Sequence, residues 1–124
     1  RAHDIRHVRG ALTEHNHKPD FLFPDQETYK AAPAEGDPRL TMLGAKSTCK
    51  DRWRQVLAEA EKISRKHLLT LEPGISEPQT SQMEEADLQL IVPAAIQVSY
   101  TRLQQKWLWD VADFIKEVRI KQMH

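Results

Sequence analysis

A change of hydrophobic period near the middle of the chain constrains its fold more than any other feature. Residues 40–46 (LTMLGAK) form a short and mostly apolar run, which is typical of a strand buried on both faces. After this run the apolar residues recur at helical spacing, at Trp53, Val56, Leu57, Ala60 and Ile63. We therefore predict a buried strand followed by an amphipathic helix over residues 53–63.

The alternation of strand-like and helix-like segments continues along the chain. Short apolar runs predict strands at residues 21–23, 67–71 and 88–92. Residues 24–39 contain three prolines and a glycine and are predicted to form a loop. Helices are predicted from residue 76 to about 86 and, with a continuous apolar stripe, from about 101 to 121. Strands alternating with helices imply an α/β fold with a small mixed sheet flanked by α-helices.

Length and composition limit the class of protein. With 124 residues, 40% hydrophobic and 29% charged, the chain is long enough for one globular domain with a single core. No apolar run approaches the ~20 residues of a membrane helix, so we expect no membrane partner. The lone cysteine, Cys49, excludes an intramolecular disulfide and a multi-cysteine zinc site and favours an intracellular location. Because the chain begins with Arg1 rather than Met, we expect it to be a piece of a longer protein.

Charge is balanced in total but segregated along the chain. The 18 basic and 18 acidic residues cancel, which argues against a protein that coats nucleic acid by bulk charge. However, residues 1–18 form a basic and weakly patterned lead-in, whereas residues 72–87 are acidic. A basic face could therefore meet phosphate groups while the acidic part faces away.

Two acids and a lysine border the predicted strands. Asp20 precedes the strand at 21–23, Lys46 ends the next strand, and Glu59 lies on the following predicted helix. Carboxylates that hold a divalent ion, with an ammonium nearby, are suited to metal-assisted cleavage of a phosphodiester. If the two strands pair, the three groups could converge at one sheet edge. Taken singly, each has an ordinary interpretation as a turn, strand-end or surface residue.

Longer sequence motifs carry a specific resemblance to a known family. Residues 18–24 (KPDFLFP), 46–55 (KSTCKDRWRQ) and 88–122 resemble the catalytic domain of EcoRII-type restriction endonucleases, within the wider PD-(D/E)xK nuclease superfamily. The resemblance covers roughly residues 9–122. The motif at residues 46–55 is long and unusual, so it is a strong match. It implies that residues 1–124 form one nuclease core with a restriction-endonuclease-like fold, located in the cytoplasm of a bacterium or archaeon.

The resemblance also implies catalytic roles. Asp20 matches the acid of the Pro-Asp motif, which binds the metal, and Lys46 matches the catalytic lysine. The commoner superfamily pattern places a second acid two residues before this lysine, where the present chain has Gly44. This branch of the family carries the acid on the following helix, and Glu59, thirteen residues after Lys46, matches it as the second ligand of Mg²⁺. Glu61 would lie about 200° further round that helix and ranks lower.

A charged triplet matches the family's sequence-reading residues. Lys50 and Arg52 can donate to guanine O6 and N7, and Asp51 can accept from the amino group of cytosine N4. The resemblance implies a double-stranded DNA target of the type CC(N/W)GG, with one central base pair. Arg54 is interpreted as a phosphate contact or a surface residue. Without the resemblance, a charged helix start would be the simpler interpretation of the triplet.

Two aromatic residues are assigned more loosely. Tyr29 matches an aromatic position near the catalytic site, although a loop tyrosine packed on the core is an equally good interpretation.

The family resemblance implies a homodimer, because a two-fold symmetric DNA site is matched by two symmetry-related protein subunits. Trp109 is a candidate dimer contact, and partial burial within the monomer is an equally good interpretation.

Three functions are compatible with these patterns. The first is a type II restriction endonuclease that cuts double-stranded DNA with Mg²⁺. The second is a DNA-binding remnant or isolated fragment that recognises a sequence without cutting it, for which binding would be salt-sensitive. The third and weakest is a helical interaction domain whose charged strand–helix junction is only solvated surface.

Overall fold

The computed structural model describes residues 8–9, 21–23, 30, 40–50, 52–60 and 62–122. Within these residues, five strands form one mixed sheet in the order β1-β2-β3-β4-β5. The strands are β1 (Val8–Arg9), β2 (Phe21–Phe23), β3 (Thr41–Lys46), β4 (Lys66–Thr70) and β5 (Leu88–Ile91). The first three are antiparallel neighbours, whereas β3, β4 and β5 run parallel. The predicted mixed sheet is thus confirmed, and β1 adds a strand within the weakly patterned lead-in.

Short helices connect the parallel strands and complete the fold. The described helical elements are a 3₁₀ segment (Trp53–Ala58), α1 (Glu77–Glu85), α2 (Ala94–Gln97), α3 (Arg102–Trp107) and α4 (Val111–Gln122). The predicted helix at 76–86 is confirmed as α1, which begins after Ser76 with a proline in its first turn. In the described part of the chain, none of the helices has the length and apolar character to cross a bilayer.

The sheet is covered on both faces, as predicted for residues 40–46. Met42 and Leu43 are adjacent in β3 and point to opposite faces, and they belong to separate apolar clusters. Met42 packs in the larger cluster, with the 3₁₀ segment and α1. Leu43 packs in the smaller cluster, which contains Phe114 and Val118 of α4. The central strand is therefore buried between two layers of apolar side chains.

The predicted helix over residues 53–63 is wrong in its second half. The 3₁₀ segment ends at Ala58, Glu59 is extended (φ −86°, ψ 144°), and Ala60 adopts a left-handed conformation with φ 49°. The ammonium of Lys66 donates to the carbonyls of Glu59 and Ala60, at 2.6 and 2.7 Å, and to that of Ile63. The Glu59 carbonyl, which would accept the Ile63 N–H in a continuing α-helix, accepts from this lysine, while the Ile63 N–H donates to the Ala60 carbonyl at 2.9 Å, so the helix stops.

The predicted single helix at 101–121 is also wrong, because it is interrupted between α3 and α4. Trp109 forms a parallel bridge with Ile91. Its N–H donates to the Leu90 carbonyl at 3.2 Å, and its carbonyl accepts from the Val92 N–H at 2.8 Å. The backbone at Trp109 therefore extends the sheet beyond β5 and cannot be helical, although the apolar stripe continues on both sides of this residue.

Side-chain caps fix the starts of both resulting helices. Thr101 and Gln104 form a reciprocal capping box at the start of α3. Asp110 and Asp113 exchange the equivalent bonds at the start of α4, at 2.8 and 3.0 Å. The Asp-x-x-Asp spacing is a local sequence signal for the second helix start that the prediction of a single helix left out.

Candidate active site

Lys46 lies at the carboxyl end of β3, directly beside Thr70 at the carboxyl end of β4. Its side chain is half-buried. The antiparallel strand β2 starts at the same end, since Phe21 pairs with Leu43. Open α/β sheets bind ligands at the carboxyl ends of their parallel strands. The sequence therefore brings the candidate lysine to the edge of the sheet where a site is expected.

The carboxylate of Glu59 covers Gly44, two residues before Lys46. A Cβ placed on Gly44 would lie 3.6 Å from Glu59 Oε1 and 3.3 Å from the nearer methyl of Val56. Alternate residues of a strand point to the same face, so positions 44 and 46 share one face of β3. The acid from the 3₁₀ segment thus occupies the space of a side chain that Gly44 lacks, on the face that bears Lys46.

Lys66 holds the backbone that carries this acid. Its side chain is only 4% exposed, and its ammonium binds the Glu59 carbonyl at 2.6 Å together with two neighbouring carbonyls. A buried ammonium is tolerated when its donors are satisfied in this way. Lys66 was not predicted as a functional residue, because a lysine before an apolar run resembles an ordinary strand boundary.

The loop after β3 is bound to the end of β4 by one carboxylate. Glu72 Oε1 accepts the backbone N–H groups of Cys49 and Lys50, at 2.7 and 3.0 Å. Its other oxygen lies 3.8 Å from Lys50 Nζ, and the Lys50 side chain is 51% exposed. Glu72 was counted in the sequence only as part of an acidic segment, so this contact was also missed.

The other predicted DNA-reading residues are placed differently from one another. Arg52 is exposed and folds back on its own loop, where Nη2 lies 3.2 Å from the Thr48 carbonyl and 3.3 Å from its hydroxyl. Arg54 stacks on the Trp53 ring at 4.4 Å and donates to Gln82 of α1 at 2.5 Å. Lys50 and Arg52 are therefore exposed donors on one loop, whereas Arg54 is directed towards α1.

Three of the candidate residues, Asp20, Tyr29 and Asp51, lie outside the described residues. Among those that the structure describes, no group of three or more histidine, cysteine, aspartate or glutamate side chains is placed to hold a metal ion. The carboxylate of Glu59 is nevertheless a hard oxygen donor of the kind that Mg²⁺ accepts. Its position on the face of Lys46 fits the second acid of a magnesium site.

Cys49 and Trp109 are both packed against other parts of the fold, as is typical of residues with a structural role. Cys49 is fully buried, and burial raises the pKa of its thiol above the ordinary value, which opposes nucleophilic chemistry. Trp109 is half-buried, with the Arg65 guanidinium 5.6 Å from its ring and the His67 ring also at 5.6 Å. Packing within the monomer therefore accounts for much of the surface of Trp109.

The fold and the position of the site define a restriction-endonuclease-like α/β core. Two solved structures share this fold: "Metal-depleted Ecl18kI in complex with uncleaved, modified DNA", with a TM-score of 0.77, and the corresponding complex with uncleaved DNA, with a TM-score of 0.76. Each is 18% identical to the chain, and each match covers 96% of this chain and 40% of the other. The predicted fold class is confirmed.

The family follows from the sequence comparison. The model of the family described as EcoRII C terminal matches residues 1–115, and the chain belongs to this family. The type II restriction enzyme EcoRII of Escherichia coli is 43% identical over 119 residues, which cover 94% of this chain and 29% of that enzyme. The chain therefore spans less than a third of the length of this relative.

Proposed function

We propose that the chain is the catalytic core of a type II restriction endonuclease that hydrolyses double-stranded DNA with Mg²⁺ at a CC(N/W)GG-like site. The observation that carries this proposal is the carboxylate of Glu59 over Gly44, on the strand face that bears Lys46. Membership of the EcoRII C-terminal family supports the same activity. The two similar solved structures, both of which are DNA complexes, support DNA as the substrate.

The residues divide the chemistry of hydrolysis between them. Asp20 and Glu59 would hold the metal, which when bound supplies Lewis acidity and an activated water. Lys46 places an ammonium where negative charge develops on the phosphate and orients the attacking water. Burial of one side of this face by Val56 and the 3₁₀ segment limits the water around the acid. Tyr29 is proposed as a supporting residue of this site.

The loop that follows Lys46 would read the bases. Lys50 and Arg52 are exposed donors for guanine edges, and Asp51 would accept from cytosine. Arg54, engaged with Trp53 and Gln82, has donors left for a phosphate contact but is not placed with the other two. A homodimer, acting in the cytoplasm of a bacterium or archaeon, would present two such loops to the two halves of the site.

Plasmid cleavage tests the proposal. The natural full-length protein is incubated with Mg²⁺ and plasmids that contain or lack CCTGG and CCGGG sites, and specific cutting is expected. Lys46→Ala and Glu59→Gln should each lower the cleavage rate by about 100-fold or more. Lys116→Ala removes an exposed lysine of α4 and should leave the rate unchanged.

Binding measurements separate the proposed enzyme from a DNA-binding remnant. If the wild-type protein binds the site selectively but cuts nothing over a range of Mg²⁺ concentrations, the nuclease assignment is wrong. In that case Lys46→Ala should leave binding nearly unchanged, while Arg52→Ala relaxes sequence selectivity. If the protein shows no affinity for DNA at low salt, both DNA-directed functions are excluded.

A further inference from the structure

We propose that Glu72 is a positioning residue for base recognition, which holds the loop of Lys50 in the shape that reads DNA. Glu72 lies after β4, 22 residues after Lys50 in the chain. None of the sequence motifs includes it. The inference rests on the proposed function, since it concerns how the same loop discriminates between base pairs.

The contacts of Glu72 are concentrated on one short piece of backbone. A single carboxylate oxygen accepts two successive N–H groups, those of Cys49 and Lys50, at 2.7 and 3.0 Å. Hydrogen bonds to an ionised acceptor are roughly twice as strong as neutral ones. The Glu72 side chain is only 12% exposed, so these bonds are partly protected from competition by water. The backbone at Lys50 is therefore fixed before any ligand arrives.

We call the two hydrogen bonds from the backbone of Cys49 and Lys50 to Glu72 the Glu72 clamp. Glu72 is itself held in place by further hydrogen bonds. The Glu72 N–H donates to the Thr70 hydroxyl at 3.2 Å, and this hydroxyl donates to the Ser47 carbonyl at 3.3 Å. The buried Tyr100 hydroxyl donates to the Glu72 carbonyl at 2.5 Å. Since Thr70 pairs with Lys46 in the sheet, the clamp connects the loop to the strand end that bears the candidate catalytic lysine.

The second oxygen of Glu72 restrains the lysine side chain. Lys50 Nζ lies 3.8 Å from it, and an ammonium has three donors, so it can face this oxygen and still donate to a base. A lysine without such a partner loses more side-chain entropy on binding and can contact phosphates in many orientations. Glu72 thus favours one orientation of Lys50 over the many that give contacts without sequence preference.

This role makes a prediction that simple destabilisation does not make. Loss of Glu72 removes a negative charge near the DNA-binding loop, which should leave binding to non-specific DNA unchanged or stronger. Loss of the clamp should weaken binding to the cognate site. A variant that was only less folded would weaken both kinds of binding together.

The test compares Glu72→Ala and Glu72→Gln in the natural full-length protein, with Glu85→Gln as a control. The control neutralises an exposed acid of α1. Affinities are measured, with Mg²⁺ withheld, for a duplex containing CCTGG and for one in which an outer C·G pair is replaced by T·A. Glu72→Ala should lower the ratio of the two affinities by about tenfold or more. Glu72→Gln keeps an acceptor for the N–H groups but loses the ion pair, so its ratio should fall less.

Thermal unfolding is recorded for every variant. If Glu72→Ala is folded and keeps the wild-type ratio, the inference is wrong while the proposed function stands. If it fails to fold, Glu72→Gln decides, and a ratio equal to that of Glu85→Gln overturns the inference. A wild-type protein that does not discriminate between the two duplexes overturns both the proposed function and this role of Glu72.

Discussion

His67 should make the fold sensitive to mild acid. Its side chain is fully buried, and neither ring nitrogen has a hydrogen-bond partner in the part of the chain that the structure describes. The ring packs against Phe114 and Trp109, at centroid distances of 5.2 and 5.6 Å. Burial, reinforced by the positive charges of Lys121 and Arg65, lowers the pKa of His67 from 6.5 to about 3. The folded chain therefore favours the neutral imidazole over the protonated one.

The size of the effect follows from the two pKa values. The unfolded chain binds the proton more readily than the folded one, so the stability supplied by the neutral ring is complete above pH 6.5. It is lost progressively as the pH falls from there towards about 3. Between pH values of about 7.5 and about 5, the free energy of unfolding should fall by about 2 kcal/mol through this residue alone.

Urea unfolding of the wild-type protein and of His67→Leu at these two pH values measures this contribution. Leucine is apolar and cannot be protonated, so the variant should lack the part of the pH dependence that belongs to His67. The difference between the proteins then cancels titrations elsewhere in the chain. An equal loss of stability in both proteins would show that the buried ring does not couple folding to pH, and would refute the argument.

Other predictions concern the candidate site and its supports. Lys66→Met should lower the free energy of unfolding by about 3 kcal/mol, because it leaves buried carbonyls unsatisfied, and urea unfolding with Lys116→Met as the control measures this. Gly44→Ala puts a methyl 3.3 Å from the nearer methyl of Val56, closer than an ordinary contact, so the segment that carries Glu59 must shift. This shift should raise the Mg²⁺ concentration for half-maximal cleavage by about tenfold, as a metal titration of the cleavage rate would show. Cys49, buried with a raised pKa, should react with a thiol reagent at neutral pH only after denaturation, as the rate of labelling with and without urea will show.

The strands were predictable because their signals are local. The predicted strand at 67–71 matches β4 within one residue, and that at 88–92 matches β5 equally well. Lys46 was also placed correctly at the end of β3. Apolar runs bounded by turn residues depend on the neighbouring sequence alone, and so does a charged residue that ends such a run.

The helices were less predictable because residues outside them interrupt the helical backbone. The apolar stripe of residues 101–121 continues on both sides of Trp109, yet the pairing of Trp109 with β5 takes that backbone out of the helix. The stripe of residues 53–63 is likewise interrupted at Glu59. In both stripes most side chains are buried or half-buried, although Leu103 and Val111 are 67% and 40% exposed. Hydrogen bonds from residues outside each predicted helix interrupt its backbone.

The position of Glu59 shows how far a motif depends on residues outside it. An acid thirteen residues after Lys46 was expected to face the site from a regular helix, and it lies over Gly44 from an extended residue after a 3₁₀ segment. The Lys66 ammonium stabilises this backbone, since it donates to the carbonyls of Glu59, Ala60 and Ile63. Buried carbonyls must find donors somewhere. The Ala60 carbonyl also accepts the Ile63 N–H at 2.9 Å. A member of this family that places its acid by the same route without a lysine at this position therefore needs another donor above all for the carbonyl that corresponds to that of Ile63.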